Sequence, residues 1–189
     1  MIRNARTFSC LSLVVVLLVG LGYALAGEGN TERRYPLPQR GFFRMKVPTS
    51  WKDQLRQPSQ PLPPTIAFRP GKGRPFDVLV TPIWRARADV PSSTKDALRQ
   101  KVERTIESVK SQAVEKELTA VEFQGASGPG FYFSATDRGP KPGEYRLMTQ
   151  GILKVSELIV TFTILTNDAQ EQVVRDALAM LQSAVHVQQ

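Results

Sequence analysis

Phe43, Met45 and Val47 alternate with Arg44 and Lys46 across residues 41–47, the period-two pattern of a half-buried strand, and Pro48 closes it. Residues 65–69 read as a short second strand. Residues 76–84 read as a third, with Phe76, Val78, Val80 and Trp84 on one face. Pro82 removes a ladder donor from that run, so the third strand is expected at an edge or a bulge. Residues 57–64, with Pro58, Pro61, Pro63 and Pro64, form a loop, and residues 70–75 form a turn by composition.

The period then changes. Leu98, Val102, Ile106, Val109 and Ala113 recur at steps of three and four, which is the apolar stripe of an amphipathic helix. Ser93 or Thr94 stands at its N-cap, and Asp96 sits at the positive end of the helix dipole. The other face is charged, and Glu103, Glu107, Glu115 and Glu117 read as solvated groups there or at the helix end.

Four strand patterns follow, over residues 118–123, 130–136, 144–154 and 157–166. Residues 137–143 are rich in turn formers and make a hairpin loop between the middle two. The fourth carries Leu158, Val160, Phe162 and Ile164 on one face and Ile159 and Leu165 on the other, which predicts a central position in the sheet. Asn167 and Asp168 are expected to cap a closing helix with the stripe Val174, Ala177, Leu178, Leu181 and Val185. The order β-β-β-α-β-β-β-β-α predicts an α+β fold. Its expected core is a central, mainly antiparallel sheet of about six or seven strands with two main helices on its faces.

Ahead of these elements, Arg3 and Arg6 precede an apolar run from Leu11 to Leu25, and Ala24-Leu25-Ala26 matches a signal-peptidase site. The run is short of the roughly 20 apolar residues that span a bilayer. Residues 1–26 therefore read as a secretory signal peptide, with an uncleaved anchor as the alternative. Residues 27–40, polar and with Pro36 and Pro38, read as a flexible spacer, and residues 41–189 as one domain. With the signal removed, no transmembrane span is expected, and the chain is placed in the periplasm or outside the cell. The style of the signal suggests a bacterial source. Cys10 is the only cysteine and leaves with the signal, so packing and not disulfides must hold the fold.

Export changes the meaning of the charge. The chain has 25 Lys and Arg against 17 Asp and Glu, and loss of Arg3 and Arg6 lowers the formal net charge from +8 to +6. Outside the cytoplasm this excess does not point to nucleic acid. It points to an acidic protein or an anionic envelope surface, or serves solubility alone. Oligomeric state leaves no mark on the pattern.

Catalytic chemistry finds few residues to use. His186, the only histidine, is three residues from the end and reads as part of a frayed helix terminus, which argues against a catalytic triad or a histidine metal site. Residues 125–130 are glycine-rich but no Lys-Ser/Thr follows, and a strand comes next, so they read as a hairpin and not a phosphate cradle. No cofactor, no metal and no catalytic residue is expected.

Met45-Lys46-Val47-Pro48-Thr49-Ser50-Trp51, an opening strand ending in hydrophobic-Pro-x-x-Trp, resembles the start of PsbP-like domains. The succession of strands, long helix, four-strand meander and closing helix over residues 42–185 is similar too. That group includes lumenal photosystem proteins, the lipoprotein DcrB and a Ran-binding nuclear-import factor. The resemblance implies an α-β-α sandwich and a non-catalytic accessory or binding role. It carries over no site residue, and Trp51 reads as a packing residue.

The remaining candidates are basic loops. Arg69, Lys72 and Arg74 flank the first turn, Arg85 and Arg87 follow Trp84, and Arg138, Lys141 and Arg146 flank the later hairpin loop. If these loops share an end of the sheet they form a basic rim beside Trp84 and Tyr145 that suits an acidic partner or anionic headgroups. Separate basic loops are the favoured arrangement. The expected function is an exported non-catalytic accessory or protein-interaction module. A carrier or sensor of a small apolar or anionic ligand is the alternative, and an enzyme of unknown type comes third.

Overall fold

The computed structural model describes residues 29–58, 62–84 and 94–188, and the statements below concern those residues. The expected signal peptide lies outside them, as do Arg85 and Arg87. In chain order the elements are β1 (Asn30–Pro36), β2 (Phe42–Pro48), β3 (Trp51–Arg56), β4 (Thr65–Pro70), β5 (Asp77–Ile83), α1 (Lys95–Val109), β6 (Val121–Gly125), β7 (Gly128–Thr136), β8 (Leu147–Val155), β9 (Leu158–Thr166), α2 (Glu171–Gln182) and β10 (Val185–Val187). The fold is α+β. A seven-stranded sheet runs β3-β4-β5-β9-β8-β7-β6 and a three-stranded sheet runs β1-β2-β10, with every neighbouring pair antiparallel.

β9 stands in the middle of the large sheet, as its two apolar faces required. The alternation of side chains divides the core in two. On one face, Phe131, Phe133 and Ala135 of β7 meet Leu98, Val102 and Ile106 of α1. On the other, Val160, Phe162 and Ile164 of β9 pack with Ala177, Met180 and Leu181 of α2 and with Phe43, Met45 and Val47 of β2. α2 therefore shares its face of the large sheet with the small sheet. Burial of a side chain such as Leu98 contributes about 1.5–3 kcal/mol, so each stripe is enough to fix its helix.

The cap of α1 forms as expected, with the Thr94 hydroxyl accepting from the Ala97 N–H at 3.2 Å. Gly151 of β8 sits where a Cβ would come within 2.4 Å of the Phe131 carbonyl and 2.5 Å of the Phe162 ring. The ring takes that space and meets Phe123 edge-on, with centroids 5.9 Å apart.

Several expectations need correction. Residues 30–36, read as part of a spacer, form β1 and pair with β2 along its whole length. β3 occupies residues left unassigned. The strand expected from residue 118 begins at Val121. β5 is internal, not an edge, yet its ladder to β4 ends at Val80, so Pro82 has a paired neighbour only in β9. The N-cap of α2 is Gln170, not Asn167 or Asp168. Val185 and His186 belong to β10, not to a helix: His186 pairs with Phe43, and its Nε2 lies 2.6 Å from the Arg40 carbonyl. Glu115 is not simply solvated, since its carboxylate accepts from the Thr136 N–H at 2.9 Å and the Thr136 hydroxyl at 2.6 Å.

Candidate functional site

The direction of each strand decides where the basic loops go. The end of β4 and the start of β5 lie at one end of the large sheet. Asp77 of β5 pairs with Leu165 of β9, Thr166 with Leu147 of β8, and Leu147 with Thr136 of β7. The β4–β5 loop and the β7–β8 loop therefore share an end, contrary to the expectation of separate loops. They touch there: Arg69 Nε lies 2.6 Å from Asp77 Oδ1, and the Tyr145 hydroxyl donates to Asp77 Oδ2 at 3.0 Å.

Sharing an end does not make a free cationic rim. Arg69 is bound to Asp77, and Arg146 to Asp168 at 2.9 Å. Arg138 donates to the Ala113 carbonyl at 2.7 Å. Four of the eight expected residues, Lys72, Arg74, Arg138 and Lys141, are described and make no ion pair among the described residues, and of these Arg138 is taken up by the Ala113 carbonyl. Burial and then the hydrogen bond to Asp77 push the Tyr145 hydroxyl above its ordinary pKa, while Arg69's own hydrogen bond to Asp77, and the charge of that carboxylate, hold its guanidinium high. This cluster joins two loops and keeps its charges to itself.

Lys72 and Arg74 belong to a different feature. They line an open groove of about 1260 Å³ bounded by the Pro48–Trp51 turn, the Pro70–Phe76 loop and one side of α2. Lys46 of β2 and Lys52 of β3 line it as well. None of these four cations has an ion-pair partner among the described residues, and Asp176 is the one carboxylate in the lining. The floor is apolar, with Trp51, Phe76, Val173 and Met180.

The walls are built from local chemistry. The Gly71 N–H donates to the Ser50 carbonyl at 2.8 Å, and a Cβ on Gly71 would approach that oxygen to 2.6 Å. Only glycine lets the turn and the loop meet so closely. α2 is pinned at both ends: Gln170 Nε2 donates to the Pro75 carbonyl at 3.2 Å, and Ser183 Oγ accepts from the Lys46 N–H at 2.9 Å. Trp51 is 5% exposed and packs on Phe76 with centroids 4.7 Å apart, so it is a packing residue, as expected, that also closes the groove floor.

Sequence reasoning missed Lys46 and Lys52. Lys46 stands two positions before the Pro48-x-x-Trp51 step and Lys52 one position after it, and that flanking was the one local signal. Among the described residues, no three His, Cys, Asp or Glu side chains gather to hold a metal, and no helix is long and apolar enough to cross a membrane. No protein-family model matches the chain, and no curated protein sequence matches it.

Proposed function

We propose that this chain is an exported, non-catalytic binding module whose working surface is the cationic groove and whose ligand is anionic. One observation carries the reading: Lys46, Lys52, Lys72 and Arg74 line a single groove without ion-pair partners among the described residues, against one carboxylate. Four like charges lining one groove repel to the extent that they approach, and an anionic ligand offsets that cost. The signal-like residues 1–26 support export.

A kinship with PsbP-like domains belongs to the same proposal. It rests on the Pro48-x-x-Trp51 step and on two helices set against opposite faces of an antiparallel sheet, the layering of an α-β-α sandwich. A carrier of a small anionic molecule is the second reading, favoured by the apolar floor beneath the cations.

Trp51 lies in the groove lining and Trp84 does not, so titration of tryptophan fluorescence in a Trp84→Phe background with citrate and with polyglutamate tests the proposal. The natural chain is expected to bind at least one of these saturably. Lys72→Glu with Arg74→Glu is expected to weaken that binding roughly tenfold, and Arg138→Glu with Lys141→Glu to leave it near the natural value. Equal loss in both pairs, or no binding at all, contradicts the proposal.

A further inference from the structure

We infer that the occupant of the groove is an extended acidic segment of a partner polypeptide, presenting carboxylates to the lysines and an apolar side chain to the floor. The inference rests on the anion-binding reading above and goes on to name the class of ligand.

Shape is the first argument. Pockets that enclose small ligands run to roughly 300–1,000 Å³ and bury most of the ligand. This groove is larger, at about 1260 Å³, and is open to solvent rather than enclosed. An open site of that size suits a chain better than a small molecule.

Charge placement is the second. Lys46 and Lys52 stand on the two strands that flank the Pro48–Trp51 turn, and Lys72 and Arg74 on the opposing Pro70–Phe76 loop. The cations thus come from three segments, and none of them sits on a helix N-terminus of the kind that holds a single phosphate. Spaced carboxylates along an extended chain match them better. The Asn30 amide and the Thr49 hydroxyl, also in the lining, make no side-chain hydrogen bond among the described residues and are placed to meet a main chain.

A membrane surface fits worse. A bilayer meets a convex face with apolar side chains that insert, and the groove is concave. Among the described residues, the exposed large apolar side chains, Leu62, Ile83, Val114, Val121 and Val187, all lie outside its lining.

The experiment compares three probes on residues 27–189 by fluorescence anisotropy or sedimentation: a labelled peptide of alternating Glu and Leu, citrate, and phosphatidylglycerol vesicles. The peptide is expected to bind best. Its binding should fall roughly tenfold in Lys72→Glu with Arg74→Glu and rise about two- to fivefold in Asp176→Asn, which removes the groove's carboxylate. Replacing each Leu of the peptide by Ser should also weaken it, which separates floor contacts from charge alone. Lys72 and Arg74 are exposed, Asp176 is half-buried and accepts from Gln172 Nε2, an interaction Asn can keep through its amide oxygen, and circular dichroism checks the folding of both variants. If citrate or vesicles bind with the same Lys72 and Arg74 dependence and the peptide does not, the peptide inference falls and the anion-binding reading stands. If no probe binds, both fall.

Discussion

The Tyr145 hydroxyl donates a hydrogen bond to Asp77 across 68 residues of sequence, and by it the β7–β8 loop is fastened to the start of β5. Arg69 holds the other oxygen of the same carboxylate. Two loops whose basic residues look alike in sequence thereby take different roles. The β7–β8 loop commits Arg138 to the Ala113 carbonyl and Arg146 to Asp168, while the β4–β5 loop commits only Arg69, at Asp77, and its tip, with Lys72 and Arg74, turns toward the groove.

Tyr145→Phe removes that fastening. The expected loss is about 1 kcal/mol of stability at neutral pH, for a partly exposed hydrogen bond to a charged acceptor. Because folding raises the Tyr145 pKa, its contribution is complete below the unfolded value of about 10 and is lost as pH rises through the folded value. Urea midpoints should therefore fall more steeply above about pH 10 in the natural chain than in the variant. Parallel curves count against the contact.

Glu115 titrates in the opposite sense. Burial pushes its carboxyl up, but the hydrogen bonds from Thr136 outweigh burial and hold the pKa below the ordinary carboxylate value. Its contribution is present above about pH 4.3 and is lost as pH falls through the lower folded value. Glu115→Gln should cost about 1 kcal/mol at pH 7 and flatten the acid limb of the stability curve, read by urea melts from neutral to strongly acid pH.

Tyr35 makes the reverse prediction. Its hydroxyl is buried and makes no hydrogen bond of normal geometry among the described residues, although the Arg33–Asp53 pair lies beside it, and burial first, then the Asp53 charge, raises its pKa. Tyr35→Phe keeps the edge-on contact with Phe68 at 6.1 Å and removes an uncompensated polar group. Thermal melts should show equal or higher stability, by up to about 1 kcal/mol. A loss of that size would mean the hydroxyl is satisfied in solution.

Gly151→Ala tests the packing of the large sheet. Its Cβ collides with both the Phe131 carbonyl and the Phe162 ring, so the ring or the β7–β8 ladder must move. Denaturant midpoints should report a loss of about 1–3 kcal/mol or more.

Much of this fold was legible because its signals are local and periodic. α1 could be read from Leu98, Val102 and Ile106, and the central place of β9 from apolar residues on both its faces. β1 could not, because Asn30–Pro36 holds a single apolar aromatic, Tyr35, among polar residues and is a strand only by pairing with β2. β10 was hidden because Val185 falls four residues after Leu181 and so continues the stripe of α2 on paper. The groove was hidden for a stronger reason. Lys46 and Lys52 look like any surface lysines until the Ser50 to Gly71 hydrogen bond brings their turn against the loop of Lys72 and Arg74. Nor does a sequence tell which arginines will be neutralised, as Arg69 and Arg146 are, by acids distant along the chain.

The groove itself is tested most directly by amide chemical-shift mapping of residues 27–189 during titration with a glutamate-rich peptide and with citrate. The account predicts that the shifts concentrate at Lys46, Thr49, Lys52, Lys72, Arg74 and the Gln172–Ser183 side of α2, and leave Arg138 and Lys141 unmoved. Shifts centred on the β7–β8 loop, or spread evenly over every basic residue, would contradict it.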